Sequence, residues 1–369
     1  MEVLDSCKMH VDALKSIADF LELPVSELQS ETLRQSILPD IQKFSVKDGR
    51  NKYEVYFLDE NGEFGGYLNY TGSLAGFYNS RYLFEWIKHK KLTVPTGRYR
   101  CYIRNSFKSI PNNRFIILLL QIPSVETIQK TTLEVEEVFK IVDVLTELHG
   151  ANVPPKAIDT VNKDNYILVQ GFYSVFLKHQ VNRYLEEILN RYSEVFIHPE
   201  ITLDKLVYLY KSFLSLEYAF STDPNVQKVF CHGNLSPENI NFDQEGNVAL
   251  IKGWENCHFG DPIEDLAYLM LSSLDKHQRR PNVMKILKRY YYKMVDSHKT
   301  PCTLQILKAS YLRYLKYFVF FNLLSIWQHL NDPDVFYKTK VTLVRRWNDV
   351  VEECYSYEKG EYHLEEEQF

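Results

Sequence analysis

Apolar positions follow three different rhythms along this chain. In the first forty residues they recur at helical spacing: Val11, Leu14, Ile17 and Leu21 share one face, and Ser26 with Gln29 and Ser30 reads as a helix cap. Period two then takes over. Phe44 and Val46 alternate up to a turn at Asp48-Gly49, and Tyr53, Val55 and Phe57 alternate up to a second turn at Asn61-Gly62. The spacing predicts a third strand over 64–70, a helix over 74–90, and two further strands over 97–105 and 114–122. Beyond that the helical rhythm returns and holds almost to the end.

The first long helix of this second part has Val138, Ile141, Val142, Leu145 and Leu148 on one face. Thr131 and Glu134 are a candidate capping box, and Gly150 is the stop. One later helix carries Val181, Leu185, Ile188, Tyr192 and Val195, and another runs over 203–220. Three more are predicted over 284–295, 304–330 and 336–355. The segment 153–170 has no clear period and reads as a loop on the substrate side. These breaks divide the chain into N-terminal helices with a strand-rich lobe (1–122), a hinge (123–127), a helical lobe (128–360) and an acidic tail (361–369). The tail, EYHLEEEQF, reads as solvated and disordered.

At 369 residues the chain has ample material for a buried core. A net charge of −5 with 25% charged residues implies no strong basic surface for nucleic acid. The six cysteines form no C-x-x-C pair and have no histidine at zinc-site spacing, so reduced core thiols are expected. The start, MEVLDSCKMH, lacks a signal-peptide pattern. The most apolar helix, over 314–327, is interrupted by Lys316, Asn322 and Ser325 and is too short to span a bilayer. The expectation is a soluble cytoplasmic protein without membrane contact.

Candidate chemistry concentrates between Cys231 and Leu271, CHGNLSPENINFDQEGNVALIKGWENCHFGDPIEDLAYLML. The stretch holds His232-Gly233-Asn234, with Asn239 five residues after Asn234. A turn at Asp243 to Asn247 follows, then a strand running into Lys252-Gly253-Trp254, then Gly260-Asp261-Pro262 and Asp265-Leu266-Ala267. In this order the segments resemble the H-G-D-x-x-x-x-N, I-D-W and G-x-P-x-x-D-L-A signatures of the aminoglycoside phosphotransferase and choline kinase family. Within it they are most similar to the choline-kinase-like (CHK kinase-like) small-molecule kinases of nematodes and insects. The resemblance extends from about residue 42 onward but is specific only over 231–271. It implies an α+β, bilobal protein-kinase-like fold, with a small five-stranded antiparallel N-lobe carrying one helix and a larger, mainly helical C-lobe. Three strands, a helix and two strands is also the N-lobe order that periodicity predicts.

The resemblance also implies where catalysis would reside. Phosphoryl transfer asks a protein for positioning and charge: an acid to orient and deprotonate the acceptor hydroxyl, and a second acid to hold magnesium. The first position is Asn234, an amide that accepts no proton at neutral pH. The second falls on Gly253, or on Lys252 if the alignment slides by one. Asn239 remains, but a neutral amide oxygen holds magnesium poorly without a carboxylate. The predicted third strand, FGGYLNY, holds no lysine for the phosphates, and the helix after it offers Glu85 as its only acid. Lys52 is the substitute within reach. Gly65-Gly66 makes no G-x-G-x-x-G and reads as a bulge.

Around these positions the expected roles are structural. His232 and Asp265 steady the loop, Asp261 holds the turn before Pro262, and His149 is a buried, hydrogen-bonded packing residue. Asp243 and Glu245 are turn acids. Lys252 is the exception, a cation whose ammonium would enter the site that magnesium fills in an active relative. The expected function is therefore a kinase-like protein without phosphotransfer, with no metal and no firm cofactor. It would act through a small-molecule or protein ligand in the cleft between the lobes. The alternative is an active small-molecule kinase using ATP and magnesium on a choline-like or steroid-like hydroxyl, its lost acid replaced by Glu238, Asp243 or Glu255.

Overall fold

The computed structural model describes residues 28–32, 41–48, 51–59, 70–104, 115–122, 127–151, 181–196, 198–214, 225–297, 299, 301–333, 335–361 and 363–364. Its N-terminal part is an antiparallel sheet of five strands: β1 (Leu28–Thr32), β2 (Ile41–Asp48), β3 (Asn51–Asp59), β4 (Arg98–Arg104) and β5 (Phe115–Ile122). Their order across the sheet is β1-β2-β3-β5-β4. Asp48 lies opposite Asn51, so β2 and β3 pair with only Gly49 and Arg50 between them, as the turn chemistry there predicts. Helix α1 (Tyr70–Lys90) separates β3 from β4.

Two N-terminal expectations need revision. Leu28–Thr32, expected to follow a helix cap, is an edge strand with Ser30 opposite Val46. Its sequence, LQSET, has no apolar alternation, and pairing with β2 decides its conformation. The strand expected over 64–70 falls mostly outside the described residues, and Tyr70 already belongs to α1. The helices expected before residue 28, the segment 153–170 and residues 123–126 of the hinge also lie outside the description.

The C-terminal part is built of helices around a small hairpin. It begins with β6 (Ile128–Gln129) and α2 (Val135–His149), then α3 (Val181–Arg191) and α4 (Pro199–Leu214). Strands β7 (Val229–Cys231), β8 (Ile240–Phe242), β9 (Val248–Ile251) and β10 (His258–Gly260) follow, then α5 (Ile263–Ser273), α6 (Lys276–Asp296), α7 (Leu304–Asn331) and α8 (Tyr337–Glu358). The expected apolar face of α2 is buried in full. Its cap is one turn later than expected: the Glu134 amide donates to Glu137 Oε2 at 3.0 Å, and Thr131 lies outside that pairing.

Helix α5 reads IEDLAYLMLSS, apolar nearly all round, and is accordingly buried on all sides. It touches α2, α6, α7 and α8. Two buried arginines close its C-terminal end, where carbonyls lack helical partners. Arg279 donates to Leu274 O at 2.9 Å, and Arg346 donates to Ser272 O. The tail departs from expectation at Leu364, which is 5% exposed and joins the core. The charge run around it hides one apolar side chain that has somewhere to pack. No helix among the described residues is long and apolar enough to cross a membrane.

Candidate functional site

The loop from His232 to Asn239 hangs between a strand pair and a three-stranded sheet. On one side β7 pairs antiparallel with β10, His258 opposite Cys231. On the other, β8 pairs with β6 and β9. The β8–β9 turn is held by Asp243, whose carboxylate accepts the amides of Asn247 (2.7 Å) and Glu245 (3.0 Å). Those bonds keep the Asp243 carboxyl below its usual range, the Asn247 amide first among them.

Asp265, on the first turn of α5, is fully buried and clamps the head of the loop. Its Oδ2 accepts the His232 amide at 2.6 Å and its Oδ1 the Gly233 amide at 2.9 Å. His149 Nε2 lies 3.4 Å from the same Oδ2, and His149 Nδ1 meets Tyr290 OH at 2.9 Å. Burial alone pushes the Asp265 carboxyl up. The hydrogen bonds from His149 and from the His232 amide outweigh it, so the group stays below the usual carboxylate range. Gly233 has φ +80°, and a Cβ there would sit 2.3 Å from Asn256 O. Only glycine allows that approach.

The His232 ring fixes the rest. Its Nδ1 accepts the Asn234 amide at 3.2 Å, which leaves Nε2–H to donate to Lys252 O at 2.8 Å. The ring also lies against Trp254, centroids 4.4 Å apart. Asn239 closes the loop, its Nδ2 donating to Asn234 O at 2.8 Å and its carbonyl accepting the Lys252 amide at 2.9 Å. Asn234, 5% exposed, has its side-chain oxygen buried with no hydrogen-bond partner among the described residues.

Gly253 is in the left-handed region, φ +79°, and the Asn239 side chain lies directly over it. A Cβ at this position would meet Asn239 Oδ1 at 2.5 Å, Cγ at 2.7 Å and Nδ2 at 2.8 Å. The space a carboxylate side chain would leave from is already filled. Asp261 ends the stretch. Its Oδ1 accepts the Ile263 amide and its own amide donates to Glu264 Oε1, both at 3.0 Å, a reciprocal cap on α5.

The structure thus brings His232, Asn234, Asn239, Lys252, Gly253 and Asp265 into one hydrogen-bonded loop. Magnesium needs near-octahedral oxygen ligands, usually one or two of them carboxylates. The residues present do not fit it: positions 234 and 239 offer two amides, one of them packed onto Gly253, and the loop's carboxylate, Glu238, is paired with His329 and Ser236. Among the described residues, one His/Cys/Asp group has metal-ligand spacing, His149, Cys231 and Asp265. Its members are buried and at work, Asp265 on the loop amides and His149 on Tyr290.

Glu85 on α1 is exposed and pairs with Arg81 four residues back at 2.9 Å. Lys52 lies in β3 opposite Ile122, and Gly65-Gly66 lies outside the description. Three contacts carried no sequence signal. Ser80 Oγ donates to Trp254 O at 2.8 Å, tying α1 to the turn after Gly253. His258 Nε2 meets Glu264 Oε2 at 3.0 Å inside the core. His329 Nε2 meets Glu238 Oε2 at 2.6 Å, linking α7 to the loop.

A strand-rich lobe, a connecting segment and a helical lobe whose loop is clamped to a central helix define the aminoglycoside phosphotransferase and choline kinase class of fold. Amicoumacin kinase hAmiN, in complex with AMP-PNP, Ca2+ and Ami, shares this fold at TM-score 0.51 and 9% identity, over 93% of this chain and 96% of its own. Choline kinase LicA from Streptococcus pneumoniae is similar at TM-score 0.48 and 18% identity, over 94% of this chain and 99% of its own. ADP-bound aminoglycoside phosphotransferase APH(2'')-Ib follows at TM-score 0.46 and 15% identity, over 91% and 97%. No curated protein matches the chain in sequence. The chain belongs to the family DUF1679, described as "Uncharacterized oxidoreductase dhs-27", whose model matches residues 81–346.

Proposed function

We propose that this protein is a kinase-fold member that no longer transfers phosphoryl groups and acts by binding a ligand or partner beside the loop. We place it in the cytoplasm, nearest in kind to the choline-kinase-like small-molecule kinases. The observation that carries the reading is Asn239 packed onto Gly253. The loop has closed over the position of the metal acid, while Asn234 replaces the base. Losing the metal removes several kcal/mol of charge stabilisation from a phosphoryl-transfer transition state. Losing the base removes a further ~10²- to 10⁴-fold. The oxidoreductase in the family's description does not carry over on the residues. No G-x-G pair, the spine of a dinucleotide-binding turn, occurs anywhere in the chain.

One observation favours the second reading, an active small-molecule kinase. Glu238 is the one carboxylate between His232 and Asn239, only partly exposed and paired with His329. The test is ATP turnover by purified protein with magnesium and a panel of hydroxylated amines and sterols. The expected rate is that of the no-protein control. Turnover that disappears in Glu238→Gln would overturn the proposal and establish the kinase reading.

A further inference from the structure

The negative charge of the chain is unevenly spread. Between Glu85 and Glu126 there are eight lysines and arginines and not one acid. With +8 in this segment and −5 in total, the rest of the chain stands at −13. Seven of the eight, Lys108 excepted, belong to two neighbouring elements or their edges: Lys88, Lys90 and Lys91 end α1, Arg98, Arg100 and Arg104 lie in β4, and Arg114 directly precedes β5.

The end of α1 is a cationic knob. Lys88, His89, Lys90 and Lys91 are consecutive and all exposed, and among the described residues none has an ion pair or a side-chain hydrogen bond. The helix closes in a Schellman turn, the Leu92 amide donating to Ile87 O at 3.1 Å and the Lys91 amide to Lys88 O at 3.2 Å. The left-handed residue of such a turn is usually glycine. Here it is Lys91, φ +53°, the one described residue other than glycine with a positive φ. A cation in the last turn complements the helix dipole. Lys91 lies beyond that turn, where glycine would be less strained, so its charge is in excess of what the helix needs.

β4, joined to α1 by residues 91–97, is an edge strand. It pairs with β5 on one side and with no described strand on the other. An open edge is a template for a further strand, and charge is one means of controlling what pairs there. Arginines at 98, 100 and 104 oppose pairing between two copies of this chain. The same charges favour an added strand of opposite sign.

We propose that this face binds a short acidic segment of a partner protein. The segment lies extended along β4, its backbone pairing with the open edge and its carboxylates meeting the cations of 88–104. A long polyanion suits the surface less well, because DNA or an anionic bilayer would also meet the field of a remainder at −13. A bilayer would moreover find no large exposed apolar side chain to take up among the described residues of the segment. No residue of the 232–239 loop takes part, so the inference is independent of the non-catalytic reading.

Fluorescence anisotropy of the full chain with a labelled peptide of about ten residues, alternating Glu and Thr, tests this at about 0.05 and 0.5 M salt. The expected result is saturable binding that weakens at the higher salt. The triple variant Lys88→Gln, Lys90→Gln and Lys91→Gln should weaken it about tenfold or more. These side chains make no contact the fold depends on, so the variant should fold, and circular dichroism checks that it does. Hydrogen exchange should show β4 amides gaining protection when the peptide binds. A DNA duplex and vesicles of phosphatidylserine with phosphatidylcholine are titrated in parallel. No peptide binding, or binding that the triple variant retains, would overturn the inference. Binding without protection in β4 would overturn the strand pairing. Tighter binding of duplex or vesicles, lost in the triple variant, would overturn the choice of partner.

Discussion

Replacing Gly253 by alanine tests whether the closed loop is a real packing feature. The substitution adds one methyl group at φ +79°, where an L-residue pays about 1–2 kcal/mol. It also places that methyl 2.5 Å from Asn239 Oδ1, about an ångström inside ordinary contact. The loop can keep Asn239 in place at an overpacking cost of about 1–3 kcal/mol. Or it can swing Asn239 away and lose its bond to Asn234 O, a net cost near 1 kcal/mol. The cheaper route wins, so Gly253→Ala should destabilise by about 2–3 kcal/mol in urea unfolding. A double-mutant cycle separates the two parts. Asn239→Ala alone should cost about 1 kcal/mol, and almost nothing once Gly253→Ala has displaced the side chain. The coupling is therefore about 1 kcal/mol. Additive effects, or a Gly253→Ala variant within about 0.5 kcal/mol of the parent, would refute the packing argument.

Two further outcomes concern the supports of the loop. Asp265→Asn keeps the size of the side chain but turns an acceptor oxygen into a donor against a backbone amide. It should lose about 1.5–3 kcal/mol at neutral pH. Because the folded-state carboxyl of Asp265 is lowered, its contribution is present above the unfolded pKa of about 4. It is lost as pH falls through the lower folded value. The gap between parent and variant in urea should therefore close below about pH 4, and a gap independent of pH would count against the ionised clamp. Glu353→Ala, which strands Arg279 (2.8 Å, both buried), should cost about 3–5 kcal/mol in the same assay. The paired apolar replacement Arg279→Met with Glu353→Leu should recover most of that loss, keeping a cost of about 1 kcal/mol for the bond to Leu274 O; equal losses in both would refute the ion-pair account.

The shape of the loop does not depend on the side chains at 234 and 253, because shape and chemistry rest on different atoms. His232, Gly233, Asn239 and Asp265 hold the backbone through bonds to amides and carbonyls. None of those bonds needs a carboxylate at 234 or 253.

The sequence alone determined what local rules govern. The β2–β3 hairpin at Asp48-Gly49 and the apolar face of α2 follow from turn chemistry and periodicity, and the fold class from the resemblance of the 231–271 motifs to a known kinase family. The tertiary structure decided whatever depends on residues far apart in the chain. LQSET became a strand because β2 offered its edge, and Leu364 left a charged tail because the core had room for it. His149 lies more than a hundred residues from both Asp265 and Tyr290, yet the three form one chain of contacts under the loop. At Gly253 the sequence showed only a missing side chain. Packing showed that Asn239 fills the space, because steric exclusion belongs to neighbours in space and leaves no period in the sequence.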